Sequence, residues 1–417
     1  MGTISTFSGT NTIKIALLSY EYPPETGFGG IGTYTWYHAR ALYKLGHEVH
    51  VLAGTTKASS CIKTSEHDGV VVHRFKAKSF LMNSFSLLSK CGLWWTKNRL
   101  ENALSMFLAL KKLQKKNSFD VIEMPECGAE GLFINRLINE KVFIKFHSPA
   151  ELIMPFYDVT KLDIAICSFI EKAAITRKNH LSSCSDFLAD EAFQKLGIKR
   201  SVKVIPNGID LELFDSSDHI NIRGKYNIPE NRLMVFFSGR MERRKGIHLC
   251  REIAGTILKK YDVSFVFAGQ DLFGYMKKTL LPYLESKTLK GSVHYLGKLN
   301  QKEIRSCLYQ TDIFLIPSLW ENCPYSCLEA MAAATAVVST DQGGIPELIR
   351  NNKNGLLAVN NNPKSYISAL ELLINNDDLR KRLGNAARKT IEESYQDTYI
   401  AVLSTDYYRQ SLETSQA

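Results

Sequence analysis

Two carboxylates, Glu321 and Glu329, bracket the segment Glu321-Asn-Cys-Pro-Tyr-Ser-Cys-Leu-Glu329. Upstream, Ser238-Gly-Arg-Met-Glu-Arg-Arg-Lys-Gly246 puts Arg240 and Lys245 in one strand-to-helix loop. Arginine offers phosphate a planar fork, and lysine offers a mobile point charge. The apolar run Ile313-Phe-Leu-Ile316 leads into the first segment, and Ala330-Met-Ala-Ala-Ala334 carries a helix onward. A helix start directs backbone N–H groups and a partial positive charge at an anion. Carboxylates on either side accept hydrogen bonds from hydroxyls. Together these parts suit a ligand bearing both phosphate and sugar hydroxyls. Gly239 permits the tight turn after the strand. Arg243 and Arg244 read as solvated or turned towards a second substrate.

Other candidates are weaker singly. Gly27-Phe-Gly-Gly-Ile-Gly32 would let backbone amides approach a phosphate. It lacks the dinucleotide fingerprint: the spacing differs, and no acid ends the second strand at Ala53. His147 closes the apolar run Lys141–Phe146, where a ring can reach a ligand at the strand's carboxyl end. Asp341-Gln-Gly-Gly-Ile-Pro-Glu347 is a further strand-end turn, with Glu347 as a cap or brace.

These residues need a scaffold of alternating strands and helices. Lys14–Tyr20 reads as a buried strand, Thr33–Leu45 as a helix with Gly46 at its cap, and His47–Ala53 as a second strand. Asp120–Met124, Lys141–His147 and Lys203–Ile209 extend the series. A second alternation follows, with strands at Leu233–Ser238, Val263–Ala268, His294–Leu296, Ile313–Pro317 and Ala336–Ser339. Helices at Ile247–Tyr261 and Gln301–Gln310 separate them. This pattern specifies an α/β chain of two doubly wound, Rossmann-like halves. The expected limits are residues 1–205, 206–395, and a last segment 396–417. Ligands of such sheets bind beyond the carboxyl ends of the strands, so a cleft between the two halves is the expected site.

Composition agrees with a soluble two-domain protein: 417 residues, 45% hydrophobic and 23% charged. No run reaches the roughly 18–20 apolar residues of a membrane span. Residues 1–11 are polar and uncharged, without a secretory pattern, and Met1–Thr6 fits an acylation motif too short to carry weight. Nine scattered cysteines form no Cys-x-x-Cys pair, which argues against zinc and for reduced thiols. The net charge of +10 is concentrated in the first half. Lys76, Lys78, Lys90, Lys97, Arg99, Lys111, Lys112, Lys115 and Lys116 face Glu101 alone. Phe80, Phe85, Leu87, Leu88, Trp94 and Trp95 are interleaved with them. Three readings stand: a helical pair with a solvated basic face, contact with an anionic membrane, or nucleic-acid binding.

Taken in order, the Gly-rich turn, His147, Pro206-Asn207-Gly208, Ser238-Gly239-Arg240 with Lys245-Gly246, and Glu321-x7-Glu329 resemble the GT-B retaining glycosyltransferases. More narrowly, the chain is similar to glycosyltransferase family four, from about Lys14 to about Tyr408. The resemblance implies a GT-B fold of two Rossmann-like domains facing across a cleft. Arg240 and Lys245 would bind the donor diphosphate, Glu329 the ribose hydroxyls, and Glu321 would lie by the donor sugar. The amides of Asn322, Cys323, Pro324's neighbour Tyr325 and the surrounding loop would line that sugar. Gly30 would meet the diphosphate and His147 the sugar. Gly29, Gly239, Gly297, Pro324 and Leu328 complete the implied donor-binding set. The last helix, about Asp397–Leu412, would cross back onto the first domain.

The implied activity is metal-independent, retaining transfer of a sugar from a nucleotide-diphosphate sugar, with uridine as the expected base and no cofactor beyond this co-substrate. The acceptor would be a glycan, a lipid-linked or anionic acceptor, or a small molecule. Localisation would be cytoplasmic, with an inner-membrane-face contact through residues 76–116. Two departures bear on the sugar: Asn322-Cys323-Pro324 replaces the family's glycines, and Ser148 replaces its frequent Asp. Residues 59–116 match no readable pattern. A sugar-nucleotide 2-epimerase of the same fold is the competing expectation. A dehydrogenase and a nucleic-acid-binding protein rank behind it, and nucleic acid is not the expected partner.

Overall fold

The computed structural model describes residues 12–26, 29–55, 62–76, 88–135, 141–286 and 291–413. Met1–Thr6, Gly27, Lys78, Phe80, Phe85 and Leu87 lie outside them. The chain forms two units: Met1–Cys184 with Ala189–Gly208 and Asp397–Ala417, and Ser185–Leu188 with Ile209–Gln396. The main dividing points, Gly208/Ile209 and Gln396/Asp397, fall slightly after the 205/206 and 395/396 read from sequence.

The first unit is built on eight strands: β1 (Lys14–Leu18), β2 (Glu48–Gly54), β3 (Lys63–His67), β4 (Val70–Phe75), β5 (Val121–Pro125), β6 (Lys141–Phe146), β7 (His180–Ser183) and β8 (Lys203–Val204). Their order is β3-β4-β2-β1-β5-β6-β7-β8, and only β3 runs antiparallel, against β4. Strand order reverses at β1, which pairs with β2 on one side and β5 on the other. Three helices bear on the argument here. Helix α1 (Gly30–Lys44) stops at Gly46, whose φ of +86° suits a residue without a Cβ. Helices α2 (Trp94–Gln114) and α3 (Lys161–Ala174) pack together, with Asp163 accepting from the backbone of Trp95 and Thr96 and so capping α2.

The second unit holds six parallel strands: β9 (Leu233–Ser238), β10 (Val263–Ala268), β11 (Val293–Tyr295), β12 (Ile313–Ile316), β13 (Ala336–Thr340) and β14 (Leu356–Ala358). Their order is β11-β10-β9-β12-β13-β14. The reversal lies between β9 and β12, where Val235 pairs with Ile313 and Phe236 with Phe314. Both strands are apolar on both faces because helices cover both sides. Phe237, Phe265 and Phe267 fill one face with Ile253 and Ile257 of helix α4 (Cys250–Lys260). Helices α5 (Gln301–Tyr309) and α6 (Tyr325–Ala332) flank β12 in sequence. Asn300 and Glu303 form a reciprocal cap on α5.

The last helix, α7 (Asp397–Glu413), groups with the first unit and packs on α1. Tyr408 of α7 donates to Glu123 of β5 at 2.6 Å, and Tyr407 donates to the Leu181 carbonyl of β7 at 2.9 Å. Gly208 has the Asp397 backbone 2.7 Å from where a Cβ would lie, so any side chain there would displace the start of α7.

The structure corrects several element readings. The unread segment contains the β3–β4 hairpin, turned by Asp68 and Gly69 at φ of +52° and +78°. Strands β7 and β14 were not foreseen. The helix expected from Ile247 starts at Cys250, because residues 243–245 form a 3-10 turn closed by Gly246. Of the short strand expected over Lys203–Ile209, only Lys203–Val204 joins the sheet, while Ile209 forms an isolated parallel bridge to Gln396.

Candidate active site

In the second unit the implied site residues gather at the β9/β12 reversal. Gly246 follows the β9 loop at φ +73°, and an added Cβ would fall 1.8 Å from the Pro317 carbonyl oxygen. Only glycine lets that loop seat against the end of β12. The Leu319 N–H donates to the Arg244 carbonyl at 2.8 Å, and the Arg244 guanidinium donates to the Trp320 carbonyl at 3.3 Å. The two loops are thus joined by one backbone bond and one side-chain bond, both through Arg244.

Five charged side chains then alternate in sign across the two loops. Arg240 lies 3.2 Å from Glu242, and Arg244 lies 3.3 Å from the same Glu242 oxygen. Arg244 approaches Glu321 at 3.7 Å, and Lys245 donates to Glu321 at 2.5 Å. Ser318 adds a 2.8 Å hydrogen bond to the same Glu321 oxygen. The inner members Glu242, Arg244 and Glu321 are buried, whereas the terminal Arg240 side chain is 49% exposed and that of Lys245 is 18% exposed. The row carries three positive and two negative charges, and its end members are cations. Burial works to raise the Glu321 pKa, but Lys245, Arg244 and Ser318 outweigh it and hold Glu321 as a carboxylate. Arg244 is therefore not the solvated or substrate-facing residue expected; it is the buried link between two carboxylates. Ser318 and Glu242 were also missed, although their partners lie in their own loops, because neither residue type by itself signals which neighbour it holds.

The Glu321 backbone is pinned as well. Gly343 stands at φ +70° with the Glu321 carbonyl 1.8 Å from a would-be Cβ, and the Gly344 N–H donates to that carbonyl at 3.1 Å. The Gly343-Gly344 turn thus packs under the Glu321–Asn322 peptide. Asn322 is buried and accepts from the Ser185 hydroxyl. Glu347 accepts from the Asp186 and Phe187 N–H groups at 2.9 and 2.8 Å, a brace as expected. Pro324 precedes α6, and Cys323, Tyr325 and Leu328 are all buried.

Glu329, in the second turn of α6, differs from Glu321. Its carboxyl is buried and accepts no hydrogen bond among the described residues. Burial pushes its pKa up to about 7, with Arg305 of α5 pulling it back. A buried carboxyl without a donor is poised for ligand hydroxyls. Gly239, Gly269 and Gly297 end neighbouring strands. Gly269 donates to the Gly297 carbonyl at 2.7 Å, and a Cβ on Gly269 would overlap the Gly239 carbonyl.

Gly29, Gly30 and His147 belong to the first unit. Gly29 is the N-cap of α1, which has neither a side-chain cap nor an acid in its first turn. A Cβ on Gly29 would strike the Glu21 carboxylate, whereas one on Gly30 would meet nothing. His147 follows β6 and packs 4.8 Å from the Tyr34 ring. Burial, then the Lys145 and His38 charges, push its pKa well below the usual histidine value, so the ring is neutral. Lys145 lies 4.3 Å over Tyr34, and Tyr34 donates to Glu123 at 2.7 Å.

In the basic segment, Arg99 is buried on Glu171 at 2.8 Å, and Trp95 packs on Tyr157. Trp94 is 54% exposed at one end of α2, while Lys111 and Lys112 are in its last turn. Aromatic and basic ends of this 21-residue helix stand about 30 Å apart at 1.5 Å per residue. Among the described residues no helix is long and apolar enough to cross a membrane.

Comparison with known proteins agrees with this layout. Residues 28–213 match the family described as Glycosyltransferase Family 4, and residues 218–390 match Glycosyl transferases group 1, together spanning most of the chain. An uncharacterised glycosyltransferase of Methanocaldococcus jannaschii is 26% identical over 96% of this chain and 99% of its own. Among solved structures, sucrose-phosphate synthase from Thermosynechococcus elongatus superposes with a TM-score of 0.78 at 19% identity, covering 96% of this chain and 99% of that one. Anabaena HepE, solved with UDP and glucose, gives 0.71 at 18% identity over 95% and 100%. The two parallel-sheet, Rossmann-like units are those of the GT-B fold. The chain belongs to the group 1 glycosyltransferases of glycosyltransferase family 4.

Proposed function

We propose that this glycosyltransferase moves a sugar from a nucleotide-diphosphate sugar to an acceptor hydroxyl with retention of configuration, without a metal ion. The observation that carries the reading is the alternating row of charges ending in Arg240 and Lys245, at the strand reversal where such sheets take ligands.

When the bond from the anomeric carbon to the phosphate breaks, its electron pair stays on the nucleoside diphosphate. Arg240 and Lys245 stabilise that charge as it develops. Their partners Glu242 and Glu321 hold them in place beforehand, which spares reorganisation during the step. The acceptor oxygen bonds to the anomeric carbon from the face the phosphate leaves, and a phosphate oxygen takes the acceptor's proton. Glu329 holds the ribose hydroxyls, and neutral His147 donates to, or accepts from, a sugar hydroxyl. Gly239, Gly297 and the Asn322–Tyr325 loop approach the donor through backbone, as do Gly29 and Gly30. Uridine is the proposed base, supported by the UDP held in Anabaena HepE.

A panel of sugar nucleotides tests this, with thermal shift, hydrolysis and product anomer recorded, and activity compared with and without EDTA. One donor should stabilise the protein and be turned over with retention, unaffected by EDTA. Conversion of the donor sugar without acceptor would identify an epimerase instead, and loss of turnover in EDTA would remove the metal-free reading.

The acceptor is proposed to be a lipid-linked or anionic glycan, with an anionic lipid surface contacting residues 76–116. Lys111, Lys112, Lys115 and Lys116, all exposed, support this. Replacing all four by Gln should abolish binding to vesicles of anionic lipid; unchanged binding would sink the idea.

A further inference from the structure

The turn after β6 is held in an unusual way. His147-Ser148-Pro149-Ala150 has three backbone N–H groups, and each ends on a buried glutamate carboxyl. Glu126 accepts from His147 at 2.8 Å with one oxygen and from Ser148 at 2.6 Å with the other. Glu171 accepts from Ala150 at 2.8 Å. Glu126 is 2% exposed and Glu171 is 1% exposed. Arg99 pairs with Glu171, whereas no cation within ion-pair distance of Glu126 is found among the described residues. Glu126 directly follows β5, the neighbour of β6, so it reaches sideways along the sheet's carboxyl edge to the turn.

We infer that Glu126 is a positioning residue: its carboxyl clamps two consecutive amides and so sets the orientation in which the turn offers His147 to the sugar. This rests on the placement of His147 at the donor sugar proposed above. A clamp of two adjacent N–H groups fixes the peptide plane between them, and with it the direction of the His147 Cα–Cβ bond. Side chains cannot substitute for it easily. A Gln at 126 would accept one N–H and turn its own NH2 against the other, whichever protonation state Glu126 has. A carboxyl group this deep, without a cation, also has no evident use in surface solubility or ion pairing.

The test uses full-length protein and the sugar nucleotide found active in the panel, with UDP as the binding probe. Glu126→Gln should lower kcat about ten- to a hundredfold, the scale on which a displaced group loses rate. UDP affinity should stay unchanged, since His147 is assigned above to the donor sugar, which UDP lacks. In a His147→Ala background the same substitution should add no further loss. A second drop of equal size there, or unchanged kcat in Glu126→Gln alone, would overturn the inference while leaving His147 in place. Full activity in His147→Ala would remove the underlying reading, and the inference with it. Should Glu126→Gln fail to fold, amide exchange in the unaltered protein decides. The His147 and Ser148 amides should exchange as slowly as those of β6, and rapid exchange would refute the clamp.

Discussion

The two units solve one problem, holding a side chain at a strand end, by opposite electrostatic means. In the second unit, Arg240, Lys245 and Glu321 are charged and are held by one another through Glu242 and Arg244. In the first, His147 is neutral and its turn's backbone is held by buried glutamate carboxyl groups. A group that must meet developing negative charge needs standing cations, and buried cations need counter-charges close by. A group that must only exchange hydrogen bonds with hydroxyls works best uncharged, and burial, with a neighbouring lysine, keeps it so. The difference suggests that the second unit supplies charge stabilisation and the first supplies orientation.

The sharpest way to break this contrast is at Lys245. Lys245→Ala should lower transfer about a thousandfold, from loss of a transition-state contact. It should also destabilise the unit by about 3 kcal/mol, because Glu321 stays buried without its partner. Turnover measured beside a denaturant curve checks both. Arg240→Ala removes a half-exposed cation, so transfer should fall about a hundredfold with stability nearly unchanged. If both variants lose only stability, the row of charges is structural.

A smaller effect is expected at Glu329, whose pKa is pushed to about 7. Its carboxylate can accept from two ribose hydroxyls, whereas the protonated form must keep one oxygen as a donor. Nucleotide affinity should therefore weaken as pH falls through about 7, by about tenfold, with Glu329→Gln weak throughout and flat with pH. Calorimetry with UDP between pH 6 and 8 reads this directly. The smallest signal concerns His147. Its lowered pKa predicts no ring titration by NMR as pH falls from 8 through 6.5; a chemical-shift step near 6.5 would place a charged ring in the first unit and erase the contrast.

The contrast also explains what sequence could reveal. Arg240, Lys245, Glu321 and Glu329 announce themselves because charged types at set spacing beside glycine turns have few other uses. The β9/β12 strands around them are apolar runs bounded by such turns, and most strands read correctly for that reason. Arg244 was misread because its exposure depends on Trp320 and Glu321 of another loop, which no local pattern encodes. Glu126 was invisible for the same cause: its partners are backbone amides, and any sequence supplies those. The β3–β4 hairpin escaped because β3, Lys63-Thr-Ser-Glu-His67, is exposed throughout and carries no apolar alternation.

The return of α7 to the first unit has a consequence for how the protein is made. The first unit is encoded in separate stretches, and Tyr407 and Tyr408, which bond to β7 and β5, are made only after the whole of the second unit. The second unit, with all six of its strands between residues 233 and 358 and its last residue at Gln396, is synthesised in full before α7 begins. During synthesis the first unit therefore waits until the second has been made, with the apolar ground of α1 uncovered until α7 arrives. A chain cut short before residue 397 would leave the ribosome with every strand of its second unit present and its first unit unsealed.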